Sequence, residues 1–163
     1  MMIIDSITVS TSRFNRYGSV SGPDDAEDVS GRNIVDRITA SGHGFRYRLI
    51  PDGITPVRIA LLESIQRQSD AVIFCGGTGL APSDLTIEAI EPLIEKSIPG
   101  FGEIFRLRSL EQVGTRAMLT RASAGLIGGV PVFAIPGSPA AASLGIELIL
   151  QELEHILQHA RGR

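Results

Sequence analysis

The chain is short of cysteine and has no surplus of positive charge. Cys75 is the single cysteine in 163 residues, which rules out an intramolecular disulfide framework, so the fold must rest on a buried core. Lys and Arg total 15 against 18 Asp and Glu, giving a formal net charge of −3 and no basic footprint for nucleic acid. The N-terminus lacks a charged stretch followed by a long apolar one, so export is not expected and the expected location is the cytoplasm. A continuous apolar run is missing as well. Ala122 to Ile146 carries no charge over roughly 25 positions, the length of a membrane helix, but Gly125, Gly128, Gly129, Pro131, Pro136, Gly137 and Pro139 cut it into pieces too short to span. No internal repeat, low-complexity tract or linker interrupts the rest, and the expectation is one domain over residues 1–163.

What is present is alternation. With 43% apolar and 20% charged residues, the composition is that of an ordinary globular chain. Ile3 to Ser10 is rich in β-branched residues and reads as a first strand, followed by a long polar loop, "TSRFNRYGSVSGPDDAED". Ser30 suits the N-cap of a helix over Gly31 to Ser41, with Ile34, Val35 and Ile38 as its apolar stripe. Phe45 to Ile50 alternates as a second strand, and a helix from Pro56 to Gln68 is expected behind a Thr55 cap. Ala71 to Cys75 is a third strand, and Thr86 suits the cap of a helix reaching Lys96. Glu103 to Val113 and Thr115 to Ser123 read as helical pieces, Pro131 to Ile135 as a strand and Pro139 to His159 as a final helix. This order predicts an α/β class fold, three-layer, with a mostly parallel sheet and helices on both faces. Ligands of such sheets bind beyond the carboxyl ends of the strands, where the glycine loop, "PDGITP" and "PGSP" all fall.

The glycine loop is the first of these. Gly76, Gly77 and Gly79 permit positive φ and close backbone approach, Thr78 adds a hydroxyl, and their N–H groups could converge on an anion. Asp84 would repel a phosphate there unless a cation lay between them, and Asp52, at the end of the second strand, is a second carboxylate at the same edge. A glycine loop with two aspartates suggests a metal-nucleotide site, although the residues alone leave a plain tight turn equally open. In "PGSP", Gly137 frees the backbone, Ser138 can cap a helix or meet a phosphate, and Pro139 suits the first helical position. In "EDVSG", Asp28 and Ser30 allow either a solvated helix cap or a ligand contact. Arg106 and Arg121 are candidate anion contacts, or simply solvated. Cys75 reads as an inert buried thiol, His43 as turn chemistry, and His155 and His159 as a solvated pair lacking a third ligand.

In order, "DVSG", "PDG", "GGTGLAPSDLTIEAI", "IPGFGEIFR", "VGTRAMLTRASAG" and "IPGSP" resemble the molybdenum cofactor biosynthesis family that includes MoaB, MogA and the gephyrin G domain. The resemblance runs from about residue 5 to 150. It implies trimers or hexamers and an activity: the phosphate of molybdopterin attacks the α-phosphorus of Mg-ATP, giving adenylyl-molybdopterin and pyrophosphate, for a MoeA-type metal-insertion partner that loads molybdenum or tungsten. It implies that Asp52 and Asp84 are catalytic and hold Mg²⁺. Substrate binding would fall to Asp28, Ser30, Gly31, Gly76, Gly77, Thr78, Gly79, Glu88, Gly137, Ser138 and Pro139.

The chain departs from the family at two positions of one motif. Where the family usually reads Arg-Asp-Val-Thr-Pro-Glu-Ala, it has Ser83-Asp84-Leu85-Thr86-Ile87-Glu88-Ala89, so serine replaces a cation beside the carboxylate and isoleucine replaces the helix-starting proline. A fixed charge-assisted donor is worth roughly 1.5 to 3 kcal/mol where it is used. The alternatives to the enzyme are a non-catalytic molybdopterin-binding or scaffolding oligomer of the same family and a CinA-type hydrolytic module.

Overall fold

A computed structural model describes residues 1–162. Six strands form one sheet: β1 (Ile3–Val9), β2 (Gly44–Ile50), β3 (Ala71–Cys75), β4 (Lys96–Ser97), β5 (Ser123–Ile127) and β6 (Val130–Ile135). Their order across the sheet is β2-β1-β3-β6-β5-β4. The first four run parallel, with Ser6 opposite both Tyr47 and Ile73, and Phe74 opposite Ala134; β5 and β4 complete the sheet antiparallel.

The central strands are apolar on both faces because helices cover both. Ala71, Ile73 and Cys75 of β3 and Phe133 and Ile135 of β6 face one layer, built by α2 (Val29–Ala40), α5 (Pro99–Val113) and α6 (Pro139–Ala160). The alternate residues Val72, Phe74, Val132 and Ala134 face α3 (Ile54–Gln66) and α4 (Thr86–Ile90). That period of two is what a strand imposes, and it accounts for continuous apolar runs in the sequence. A smaller cluster closes the β2 edge, where Tyr47 and Leu49 pack with Ala26 and Val35 and with Phe14 and Tyr17 of α1 (Thr11–Tyr17).

The structure corrects several expected elements. The stretch after β1 is not all loop: Ser10 caps α1 with its hydroxyl accepting from Arg13 N at 3.4 Å, and a 3-10 turn follows at Pro23–Ala26. No residue of α1 is buried, so it carried no apolar stripe to detect. The helix α2 starts at Val29, two residues early, capped by Asp28 rather than Ser30. α3 starts behind Gly53 with no side-chain cap, so Thr55 lies inside it. The expected helix to Lys96 stops at Ile90, because Pro92 cannot donate to the helical ladder, and Glu91–Leu93 forms a 3-10 turn before β4. Thr115 to Ser123 is not a helix. Gly114–Leu119 is a 3-10 segment and β5 begins at Ser123, joined to β6 by Gly128 and Gly129 at φ 58° and 75°.

Candidate functional site

The parallel strands all end at one edge, and their following segments enclose a cleft of about 570 Å³. Thr8 to Arg13 form one wall, Cys75 to Gly79 the floor, and Asp28, Ser30, Asp52, Asp84, Pro136, Gly137 and Leu119 to Arg121 the remainder.

The loop after β3 is held from several sides. Gly76 N–H donates to Ile135 O at 3.0 Å and is thereby spent on the sheet. The next amides, of Gly77, Thr78 and Gly79, have no protein acceptor among the described residues, and neither does the Thr78 hydroxyl. Gly76 and Gly77 have φ 109° and 66°, and a Cβ on either would strike Val9 O or Thr86 Oγ1 respectively, so neither position tolerates a side chain. Thr86, expected as a helix cap, instead donates its hydroxyl back to Gly76 O at 2.8 Å. The helix α4 behind it has five residues, so its dipole is slight and the exposed amides are the main attraction for an anion.

Both predicted carboxylates reach this cleft. Asp52 Oδ2 accepts from Thr11 N at 3.0 Å and from Thr11 Oγ1 at 2.6 Å, while its own N–H donates to Thr11 Oγ1 at 3.0 Å. Asp84 Oδ2 accepts from Ala81 N at 3.0 Å and lies 2.6 Å from where a Cβ of Gly79 would be. Each therefore keeps Oδ1 without a protein hydrogen bond among the described residues. No group of three or more His, Cys, Asp or Glu gathers among those residues to hold a metal by protein ligands alone. Two free carboxylate oxygens beside a phosphate nest fit Mg²⁺ arriving with a nucleotide, which binds through one or two carboxylates plus phosphate oxygens.

The first motif is structural at its centre. Asp28, 4% exposed, accepts from Gly31 N at 2.9 Å, Thr8 Oγ1 at 2.6 Å and Tyr47 OH at 2.7 Å. Burial and the bond to Asp28 push the Tyr47 hydroxyl up from its ordinary value, so it remains a donor. Ser30 Oγ donates to Gly137 O at 2.8 Å, tying α2 to the last loop. Ser138 caps α6, accepting from Ala141 N at 3.2 Å. Gly31, Ser138, Pro139 and Glu88 are not in the cleft wall.

Glu88 instead grips Arg121. The Arg121 guanidinium donates to Glu88 Oε1 at 2.5 Å and Oε2 at 3.3 Å, to Thr78 O at 3.0 Å and to Gly79 O at 2.7 Å. The hydrogen bond from Arg121 holds the Glu88 carboxyl below its usual range. Arg121 is thus fixed on the glycine loop while still partly exposed, whereas Arg106 reaches only Thr120 O, at 3.3 Å. Cys75 is buried, its Sγ donating to Pro136 O at 3.6 Å, and burial pushes its pKa up to about 12. It is the inert thiol that the sequence suggested.

The sequence did not single out Thr8, Ser10, Thr11, Ser12 and Arg13, which build a whole wall. Arg13 donates to Ala26 O at 2.8 Å and Glu27 O at 2.7 Å, folding the loop over α1. The signal available was Ser10 directly after an apolar strand, a helix N-cap pattern.

Four parallel strands ending at one edge, with free amides in the loop after β3 and the carboxylates of Asp52 and Asp84 in the same cleft, define an α/β domain suited to phosphate-bearing ligands. Residues 5–155 match the family model described as a probable molybdopterin binding domain, and the chain belongs to that family. It is 45% identical over 139 residues to a molybdopterin adenylyltransferase of Pyrococcus furiosus, covering 83% of this chain and 82% of the relative. It is 40% identical over 141 residues to the molybdenum cofactor biosynthesis protein B of Bacillus subtilis, covering 84% and 83%. The crystal structure of the tungsten cofactor synthesizing protein MoaB from Pyrococcus furiosus superposes with a TM-score of 0.85 at 40% identity, covering 99% of this chain and 98% of that one.

Proposed function

We propose that the whole chain, residues 1–163, acts as one molybdopterin-binding domain that transfers AMP from Mg-ATP to the phosphate of molybdopterin. The observation that carries this is the row of unpartnered amides at Gly77, Thr78 and Gly79 in one cleft with Asp52 and Asp84. The P–O bond formed joins the molybdopterin phosphate to the α-phosphorus of ATP; the bond broken releases pyrophosphate. A phosphate monoester is ionised at neutral pH, with a second pKa of about 6, so the nucleophile needs no protein base. What the chain supplies is position and charge. The glycine-loop amides and Thr78 hold phosphate oxygens, Thr11 fixes Asp52, and the Ala81 amide fixes Asp84. Asp52 and Asp84 would hold Mg²⁺, which, when bound, neutralises phosphate charge. Asp28, Gly31 and Ser30 act by shaping the wall, Glu88 by holding Arg121, and Ser138 and Pro139 by starting α6 behind Gly137.

The same proposal includes the setting. The protein works in the cytoplasm and passes adenylyl-molybdopterin to a MoeA-type partner for molybdenum or tungsten insertion. It assembles as a homotrimer or homohexamer, a reading supported by the exposed row Ile104, Leu107, Leu110 and Val113 along α5. Among the described residues no helix is long and apolar enough to cross a membrane.

The test is Asp84→Asn with purified molybdopterin, Mg²⁺ and ATP. Turnover should fall by at least about 100-fold while molybdopterin binding persists. Unchanged turnover would remove the assigned role. Molybdopterin binding with no product from the unsubstituted protein would leave a scaffolding oligomer.

A further inference from the structure

Four consecutive carbonyl oxygens of the glycine loop are all engaged by only two residues. Gly76 O accepts from Thr86 Oγ1 at 2.8 Å and Gly77 O from Thr86 N at 2.9 Å. Thr78 O accepts from Arg121 Nε at 3.0 Å and Gly79 O from Arg121 Nη2 at 2.7 Å. We propose that Thr86 and Arg121 form a carbonyl clamp that sets the anion-binding face of this loop, with Arg121 as a positioning residue for phosphate. The inference rests on the adenylyl-transfer reading only for the identity of the anion.

No peptide bond here is cis, so within each unit the N–H points opposite to the C=O. Tying back the carbonyls of Gly76, Gly77, Thr78 and Gly79 therefore turns the amides of Gly77, Thr78, Gly79 and Leu80 away from Thr86 and Arg121. None of those four amides has a protein acceptor among the described residues. Gly76, Gly77 and Gly79 otherwise leave the segment free to rotate whole peptide units. A single flipped unit would present a carbonyl oxygen to the phosphate in place of a donor. A clamp that holds oxygens, not the ligand, prevents this.

Arg121 suits the task for a reason that lysine cannot meet. Its planar fork reaches two carbonyls on one side and both oxygens of Glu88 on the other, the latter at 2.5 and 3.3 Å. Lysine offers the same charge at a single point. Glu88, outside the cleft wall, is thereby connected to the loop through the guanidinium.

Calorimetric titration of Mg²⁺-pyrophosphate into the wild type, Arg121→Lys, Thr86→Val and Thr86→Ser tests the clamp, with thermal melting to verify folding. The wild type and Thr86→Ser, which keeps the hydroxyl, should bind alike. Arg121→Lys and Thr86→Val should bind about tenfold more weakly, the effect of losing one net hydrogen bond's worth of orientation. Amide NMR should show the Gly77, Thr78, Gly79 and Leu80 signals moving on pyrophosphate addition in the wild type. Equal affinity of folded Arg121→Lys, or of Thr86→Val should the lysine variant fail to fold, would overturn the clamp. So would a wild type that binds no pyrophosphate. If pyrophosphate binds with the clamp's pattern but Mg-ATP and molybdopterin yield no product, the clamp stands and the adenylyl-transfer reading fails.

Discussion

At the scale of single residues, the cleft depends on groups whose polar atoms are spent on the protein itself. Asp28 accepts three hydrogen bonds while buried, and asparagine would replace one accepting oxygen by a donor. Asp28→Asn should therefore cost about 1 to 3 kcal/mol in urea unfolding. Gly31 has no room for a methyl group: its Cβ would strike Asp28 Oδ2 and lie 2.9 Å from Tyr47 Cε2. Gly31→Ala should destabilise by a similar amount, about 1 to 3 kcal/mol, read as a lower thermal midpoint. Glu88 gives a pH prediction. Its folded pKa is depressed by Arg121, so its contribution is complete above the ordinary Glu value of about 4.3 and is lost as pH falls through the lower folded value. The stability difference between wild type and Glu88→Gln should be flat from about pH 5 to 7 and shrink below about pH 4. A difference that grows on acidification would contradict the pairing. The sequence made Asp52, Asp84 and the glycines legible, because turn glycines and strand-end carboxylates stand out locally. It could not show that Glu88 and Arg121, 33 positions apart, meet, nor that Asp28 spends its oxygens on Thr8 and Tyr47. Those are contacts made by tertiary packing.

At the scale of elements, periodicity found what is buried on one face and missed what is not. The helices α2, α3 and α6 and the strands β1, β2, β3 and β6 bury long apolar sets and were legible with end errors of a few residues. α1 has no fully buried residue, and β5, "SAGLI", is short and small-residued; its one clear mark is the Gly128-Gly129 turn, a hairpin signal. Gly125 in β5 is required by close approach, since a Cβ there would sit 2.8 Å from Lys96 O. The missed α1 matters most, because Thr11 at its start holds Asp52. Thr11→Val removes the hydroxyl and keeps the amide. It should lower kcat by about tenfold, with stability changed by about 1 kcal/mol or less. A kcat equal to wild type would show that Asp52 does not depend on α1.

At the scale of the molecule, the sheet explains why residues spread from Thr8 to Gly137 share one cleft. Parallel strands must all finish at the same edge, and β1, β3 and β6 lie side by side there. The parallel alternation that places them was visible in the order of elements. The antiparallel β4 and β5, the latter starting two residues after Arg121, were not: the expected helices ended at Lys96 and Ser123, and Ala124 to Ile127 carried no expected element. The exposed apolar row on α5 is an apolar feature that the fold leaves uncovered. Light scattering after size exclusion should give a trimer or hexamer mass, and Leu107→Asp should shift it towards monomer. A monomeric wild type would contradict the proposed assembly.

The central claim is transfer of an adenylyl group to molybdopterin. Its most direct measurement is chromatographic detection of adenylyl-molybdopterin together with released pyrophosphate after mixing the protein with molybdopterin, Mg²⁺ and ATP. The account predicts both products in equal amounts, and neither when ATP is omitted. Bound molybdopterin with no adenylylated product and no pyrophosphate would contradict it.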